Sequence, residues 1–396
     1  MTDELEAMWA RHQAEWRDPA QVASQWQAAA ATDPKLLRHR TRGPWWEILQ
    51  QCGVVLLVTR EYEHLIMALQ ASTGEPQVSY WPLPHPSGIA VDGDRGLVHI
   101  ASTRNPNQVY DFVPATGLLA RQDVPLEPRG DRPLVPLRSR FFPGCLYMHD
   151  LALIGGALHA NAVGHNAIAR LHDDGRFERV WHPRCIERDG EPVFGLNYLQ
   201  LNSIAAGPDL ANSYFSASTD QLSARRPGHR NFPVDGRGVL FSGRTREVAA
   251  RGLTRPHSAR WYRQQIWVDN SGYGELCVMQ GERCEAIAQL PGWTRGLCFV
   301  GDLAFVATSR VIPRFRQYAP GLDVDRSECG LHAVDPRSGQ ILASLVWPYG
   351  NQIFAIEALS PALATGFPFR VGRARPRAQE KQFFYAFKTP LTEELR

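Results

Sequence analysis

Six residues in this sequence each stand at the start of an apolar segment, and several are types that carry chemistry. They are Ser87, His149, Asn202, His257, Arg295 and Gln352. An imidazole exchanges protons near neutral pH, and a guanidinium can hold a carboxylate or an oxyanion through two parallel hydrogen bonds. Two imidazoles, two amides and one guanidinium on a single surface would form the convergent polar cluster expected of a binding or catalytic pocket.

These residue types predict specific roles if the protein is an enzyme. His257 would be the general acid or base, and Asp150 would orient His149 as the second catalytic imidazole. The arginines would hold an anion, and the asparagines would position the substrate. The predicted substrate-binding residues are Arg295, Asn202, Arg260, Asn270, Ser258, Arg310 and Gln352.

The same histidines allow a metal-assisted variant of this chemistry. His149 and His257 would hold zinc or iron, with Asn202, His85 or His165 as a third ligand. No H-x-H or H-E-x-x-H spacing supports such a site, and a guanidinium in the same cluster would repel a cation.

The elements that must position this cluster are short strands. After residue 45 the chain consists of brief β-branched or aromatic segments bounded by Gly, Asp, Asn or Pro, with 29 prolines and 33 glycines in total. Most copies of the polar-then-apolar segment are followed by a turn and a second strand. These second strands are predicted at Leu97–Ala101, Ala157–Asn161, Tyr214–Ala217, Gln265–Asp269 and Leu303–Thr308.

The repetition predicts an all-β fold, a six-bladed β-propeller with seven blades as the alternative. The copies recur at roughly 40 to 60 residues, about the span of a four-stranded blade. The first strand of each blade lines the central axis, so the column of polar residues becomes a ring. We expect the strand at 382–387 to pair near residues 45–58 and close that ring, which protects the sheet edges.

Residues 1–43 differ from the propeller predicted over 44–396. They are rich in helix formers, and Asp18-Pro19 offers a cap followed by a first-turn proline. Two short helices are predicted, which would cap the pocket, pack on a blade edge or form a homodimer contact.

Composition excludes several classes of protein. A formal charge of +3 over 396 residues does not predict a nucleic-acid binder. The N-terminus has no secretory pattern and no apolar run is long enough to span a bilayer, so we expect a cytoplasmic protein without a membrane partner. The seven scattered cysteines favour buried reduced thiols. Motifs typical of nucleophile-elbow hydrolases and nucleotide-binding enzymes are absent.

The chain resembles a family of bacterial conserved hypothetical proteins, which are predicted propellers without an assigned function. The resemblance covers about residues 45–370. The matching segments, by residue number, are 148–152 (MHDLA), 256–260 (PHSAR), 267–275 (WVDNSGYGE), 291–297 (PGWTRGL), 308–310 (TSR) and 329–331 (CGL).

Two departures limit what the resemblance implies about chemistry. The family pattern is C-H-L-N-G-L-A where residues 199–205 read LQLNSIA, so a family histidine is replaced by Gln200. It is E-L-Y-D where residues 352–355 read QIFA, so both acids are missing. The resemblance therefore supports the fold and the pocket more than a reaction.

Two functions remain open from the sequence. The first is a small-molecule or peptide-tailoring enzyme, a lyase, isomerase or hydrolase that uses a histidine acid or base and an arginine anion clamp. The alternative is a non-catalytic propeller that binds a peptide, a protein or an anionic ligand on its top face. Segments 139–147 and 310–326 would form the rim of that face.

Overall fold

The fold was examined in a computed structural model of the whole chain. It describes residues 4, 7–8, 11, 15–16, 18–72, 75–104, 107–118, 132–195, 197–222, 232–372 and 387–389. The described part of the chain is all-β with few helices and has a propeller-like arrangement. None of its helices is long or apolar enough to cross a membrane.

Antiparallel four-stranded units make up the arrangement, six of them in the described residues. The inner strands, in chain order, are β5 (Pro86–Asp92), β10 (Met148–Ile154), β16 (Leu201–Ala205), β20 (Pro256–Tyr262), β24 (Trp293–Val300) and β28 (Ala355–Leu359). The outer strands of the first unit are β6 (Leu97–Ser102), β7 (Asn107–Pro114) and β9 (Leu134–Phe142), and those of the second unit are β11 (Ala157–Ala162), β12 (Ala167–Leu171) and β13 (Phe177–Trp181). The third unit has β17 (Tyr214–Ala217), β18 (Gly238–Ser242) and β19 (Val248–Leu253), and the fourth has β21 (Gln265–Asn270), β22 (Glu275–Gln280) and β23 (Arg283–Gln289). The fifth unit has β25 (Leu303–Ser309), β26 (Gly330–Val334) and β27 (Ile341–Val346). The second strands predicted from the sequence are all present.

The last unit joins the two ends of the propeller. Its inner strand β28 pairs antiparallel with β2 (Val55–Arg60), which continues into β3 (Leu65–Ser72) and β4 (Glu75–Pro82). The prediction that a strand at 382–387 pairs near residues 45–58 is therefore corrected, because β28 pairs with β2 there. Residues 382–386 lie outside the described residues, and Phe387–Lys388 (β30) pairs with Gly117–Leu118 (β8).

Apolar clusters fill the space between neighbouring units. One cluster joins Ile89 and Val98 to Leu57 of β2, and another joins Ala101 to Leu151 of β10. Comparable clusters lie at each following junction, and the largest joins β2 and β3 to β25 and β26. Because each sheet buries both faces against its neighbours, the inner strands are held side by side around a common axis.

Short turns and strands lie outside the four-stranded units. They are the 3-10 turns Pro34–Leu37, Val163–His165, Arg184–Ile186, Pro313–Tyr318 and Val324–Arg326, and the short strands β14 (Glu187–Arg188), β15 (Glu191–Pro192) and β29 (Phe369–Arg370). All seven cysteines are free thiols. Four of them are buried, as predicted, whereas Cys52, Cys185 and Cys284 are partly exposed.

The N-terminal segment contributes α1 (Pro19–Ala30) and β1 (Arg40–Arg42), and β1 adds a fifth strand beside β27. A second helix, α2 (Trp45–Cys52), occupies residues where the sequence suggested strand. The side chains of Trp45 and Leu49 are buried in the largest apolar cluster, and this tertiary burial favours the helix over the local strand preference.

Candidate functional site

Bulges interrupt the inner strands where the polar column stands. The pairing register shifts between Pro86 and Ile89 in β5 and between Met148 and Leu151 in β10. Strands β16, β20 and β24 show the same irregularity at positions 201–203, 257–260 and 294–297. A bulge bends a strand and re-aims its side chains. The column residues therefore point away from the regular alternation of the strand.

Five of the six column residues line one cavity of about 540 Å³. They are His149, Asn202, His257, Arg295 and Gln352. Ser87 lies outside it, because its buried hydroxyl donates to the Met148 carbonyl at 2.7 Å. The cavity has a volume typical of small-molecule sites.

Hydrogen bonds fix the tautomer of His149. The amide of Asn202 donates from Nδ2 to the Pro256 carbonyl at 2.8 Å, so its Oδ1 must face His149. That oxygen only accepts, so Nδ1 of His149, 3.3 Å away, carries the proton. Nε2 of His149 makes no hydrogen bond with the residues that the structure describes, and the ring lines the cavity. His149 thus offers a lone pair to a ligand.

His257 has the same tautomer but no free nitrogen. Nε of Arg295 donates to Nε2 of His257 at 3.1 Å, which occupies the lone pair. Nδ1 therefore carries the proton and faces the Ser258 hydroxyl at 3.0 Å. His257 positions Arg295 in this structure, whereas the sequence predicted that it would be the general acid or base.

Both imidazoles are held neutral. Burial is the main cause that lowers the pKa of His149 well below its usual value, and the positive charge of Arg295 lowers it further. Burial and the same arginine lower the pKa of His257 well below its usual value. The two rings stack with centroids 6.0 Å apart, and each meets the edge or face of Phe354. A neutral His149 is available as a base, not as an acid, at physiological pH.

Two buried guanidinium groups in the cavity have no carboxylate partner among the described residues. Arg295 is 8% exposed, its Cζ lies 3.8 Å from the Phe354 ring centre, and its two terminal nitrogens make no hydrogen bond there. Arg255 is 7% exposed, donates to Oε1 of Gln200 and lies over the ring of Tyr318. Burial lowers the pKa of each guanidinium to about 10, so both remain charged at neutral pH.

The single carboxylate that lines the described cavity is already engaged. Glu61 accepts from the Thr103 hydroxyl at 2.7 Å, from Arg104 at 3.3 Å and from Gln352 at 3.1 Å. Three arginines against one glutamate leave the lining with a net charge of +2 when the histidines are neutral. The cavity is therefore complementary to an anion.

Asp150 and Arg260 lie apart from this cavity and pair with each other. The Asp150 carboxylate accepts from Arg260 at 2.8 Å and from the backbone N–H of Ile204 at 3.0 Å. This corrects the expectation that Asp150 orients His149, because Asn202 makes that contact. Arg260, which the sequence predicted to hold the ligand, lies outside the cavity lining.

The other predicted substrate-binding residues make contacts within the sheets or at the rim. Asn270 bridges the Thr254 N–H and Glu275, and the Ser258 hydroxyl accepts from the Gly296 N–H at 2.7 Å. Arg310 donates to the carbonyls of Trp347 and Pro348. None of the three predicted residues lines the cavity.

The residues present do not fit the predicted metal site. The Nε2 lone pair of His257 is taken by Arg295, and Nδ1 of His165 faces Arg179 at 3.1 Å. His85 packs against His64 near Glu61. No cluster of three or more His, Cys, Asp or Glu within the described ranges could hold an ion. A divalent metal stays a prediction from the sequence alone.

Arg255 is the site residue that sequence reasoning missed. It precedes Pro256 in a position with φ of 56°, a left-handed conformation that an arginine rarely adopts. His85, Tyr147 and Gln200, at the equivalent position of three earlier repeats, share this conformation, so it belongs to the repeat. Phe354, Trp293 and Gln200 also line the cavity. Among these residues, only Gln200 had a signal in the sequence, because it stands where the resembled family has a histidine.

Both predicted rim segments reach the cavity. Tyr147 lines it from one of them, and Phe315 lines it from the other. Arg314 contacts the Tyr62 hydroxyl at 2.6 Å.

The family resemblance agrees with a match to a family model. The chain belongs to the family described as a domain of unknown function, DUF4915, whose model matches residues 43–365. This confirms the uncharacterised family suggested by the motifs. None of the curated proteins matches the sequence.

Solved structures are similar to this chain at low sequence identity. A chain of a nidogen/laminin complex aligns with a TM-score of 0.50 and 11% identity, over 78% of this chain and 99% of that one. A gluconolactonase from Xanthomonas campestris aligns with a TM-score of 0.42 and 13% identity, over 75% and 86% of the two chains. A luciferin-regenerating enzyme gives a TM-score of 0.41 and 11% identity, over 65% and 74%. The similarity to the chain of the nidogen/laminin complex concerns the fold only.

Proposed function

We propose that this chain is a six-bladed propeller enzyme that binds an anionic small molecule in its central cavity and removes a proton from it with His149. The six four-stranded units and the apolar clusters at their junctions support the blade count. The observation that carries the reaction is the free Nε2 of a neutral His149 beside two arginines that lack a carboxylate partner.

The arginines supply the binding energy in this proposal. The desolvation of an unpaired charge inside a protein costs roughly several kcal/mol, and a ligand carboxylate would offset that cost. The terminal nitrogens of Arg295 are free to form a bidentate pair with such a group. His257 and Phe354 fix the position of that guanidinium.

His149 supplies the base. Asn202 holds Nδ1, so a proton taken from the ligand arrives at Nε2 and produces an imidazolium whose Nδ1–H faces an amide oxygen. The charges of Arg295 and Arg255 disfavour this imidazolium, and the ligand's negative charge would screen them. Proton removal next to a carbonyl or carboxylate begins lyase and isomerase reactions, and removal from water begins hydrolysis.

A non-catalytic anion-binding propeller is the second candidate. It is favoured by one observation: the hydrogen bonds that position the arginine pair, from Arg295 to His257 and from Arg255 to Gln200, do not involve His149.

Deuterium exchange separates the two functions. The purified chain would be incubated in heavy water with a panel of small carboxylic acids, and NMR would follow binding and the loss of proton signals next to the carboxylate. A parallel panel of esters and lactones would report hydrolysis. We expect Arg295→Gln to weaken binding at least about 30-fold, from the roughly 2 kcal/mol of a charge-assisted pair. Arg310→Gln, outside the cavity, is the matched control.

His149→Gln should retain binding and abolish exchange or hydrolysis. Binding with no turnover in the wild-type chain would instead support the non-catalytic propeller. Binding that is equal in the wild-type chain and in Arg295→Gln would overturn the anion site itself.

A further inference from the structure

The N-terminal helix α1 forms one wall of the cavity. Gln21, Ser24 and Gln25 line it together with the strand residues. Their spacing of three and four residues places them on one face of the helix. The helix begins after Asp18, whose carboxylate accepts from the Ala20 N–H at 2.9 Å, with Pro19 in the first turn.

Contacts on either side of these residues hold the helix in place. The Gly144 N–H donates to the Glu15 carbonyl at 2.9 Å. The ring of Trp26 meets the ring of Tyr110 edge-on at 5.8 Å, and Ala29 is buried. Further along, the buried Arg60 donates to the Leu36 carbonyl at 2.5 Å. The wall is therefore an integral part of the cavity.

This wall differs in chemistry from the rest of the lining. The charged groups of the cavity come from the strands and loops of the propeller, as Glu61, Arg104, Arg255 and Arg295. The helix contributes two amides and a hydroxyl, which carry no charge. The Ser24 hydroxyl donates to the Gln21 carbonyl at 2.9 Å, so towards a ligand it acts as an acceptor. The family model begins at residue 43, so the helix also lies outside the part of the chain that the family shares.

We infer that α1 determines specificity by binding the uncharged polar groups of the ligand, so that the substrate class is a carboxylic acid bearing hydroxyl or amide groups. This inference rests on the proposed anion site, because the arginines would bind the carboxylate while the helix binds the neutral part. A site built to hydrogen-bond a ligand group rejects the analogue that lacks it, since its own polar atoms then lose their partners.

Three carboxylates of similar length test the inference in the full-length chain. Gluconate carries hydroxyls, N-acetylglycylglycine carries amides and hexanoate carries neither. Isothermal titration calorimetry would give the three affinities for the wild-type chain and for the double variant Gln21→Met and Ser24→Ala. Gln27→Met, on the same helix but away from the cavity, is the matched control. Circular dichroism would confirm that each variant is folded.

We expect at least one of the two polar carboxylates to bind about 30-fold more tightly than hexanoate, from two hydrogen bonds of roughly 1 kcal/mol each. The double variant should lose most of that preference with hexanoate affinity unchanged, and Gln27→Met should keep it. A preference that survives in the double variant, or hexanoate binding as tight as the others, would overturn the role of α1 and leave the anion site standing. Failure of all three to bind would instead remove the anion site, and this inference with it.

Discussion

The cavity lined by His149 and the charge cluster around Asp111 on β7 are both rich in arginine, but only the cluster pairs each of its arginines with a carboxylate. In the charge cluster, Asp111 accepts from His99 at 2.6 Å, from Arg138 at 2.6 Å and from Arg140 at 2.8 Å. The two arginines continue to Asp173. In the cavity, Arg255 and Arg295 have no carboxylate partner in the described structure.

The difference distinguishes a structural role from a binding role. Every charge in the cluster has an opposite charge within contact distance, so nothing further is needed to stabilise it. The pair in the cavity leaves a positive potential that only a ligand could neutralise. Three experiments can break or sharpen this comparison.

The largest expected effect is on the paired cluster. Asp111→Ala would leave Arg138 and Arg140 without their buried partner and should lower the free energy of unfolding by about 3–5 kcal/mol. Urea unfolding monitored by tryptophan fluorescence would measure it. Asp173→Ala removes a half-exposed carboxylate and should cost about 1 kcal/mol or less. Equal losses for the two variants would contradict the structural role of Asp111.

An intermediate effect concerns the neutral histidines of the cavity. The pKa of His257 is lowered by burial first and then by the charges of Arg295, His149, Arg260 and Arg255. Below pH 6.5 the unfolded chain takes up a proton that the folded chain does not, so stability present above pH 6.5 is lost as the pH falls towards the folded pKa. The loss is about 1.4 kcal/mol per pH unit for one such group.

His257→Gln should reduce this acid sensitivity by about one proton, because glutamine does not titrate. Urea midpoints at pH 7.5 and 5.5 would show whether the variant and the wild-type chain converge as the pH falls. Parallel pH profiles would show that His257 is protonated in the folded chain.

The smallest effect on the free energy of unfolding is expected at the two cavity arginines, Arg255 and Arg295. Arg295→Met replaces a buried, unpartnered charge with an apolar side chain of similar length, so the free energy of unfolding should stay unchanged or rise by about 1 kcal/mol. The same unfolding assay, run without ligand, would measure it. A loss as large as that of Asp111→Ala would mean that Arg295 has a structural partner, and the comparison would fail.

Much of the fold follows from local sequence. The second strands beginning at Leu97, Ala157 and Tyr214 were predicted because alternation and turn residues act over a few neighbouring positions. The repeated polar column was recognised for the same reason, since His149, Asn202 and Arg295 hold equivalent positions in different repeats, and all three line the cavity.

Contacts between distant residues decided the rest. Arg255 and Arg260 are five positions apart in one segment, yet Arg255 lines the cavity and Arg260 pairs with Asp150. The bulge at residues 257–260 separates their directions, and no sequence pattern reports a bulge. The sequence by itself thus determined the repeat, the strands and the polar column. Only the tertiary structure decided which arginine keeps a free charge, which histidine keeps a free nitrogen and that α1 borders the cavity, because these depend on partners brought together by folding.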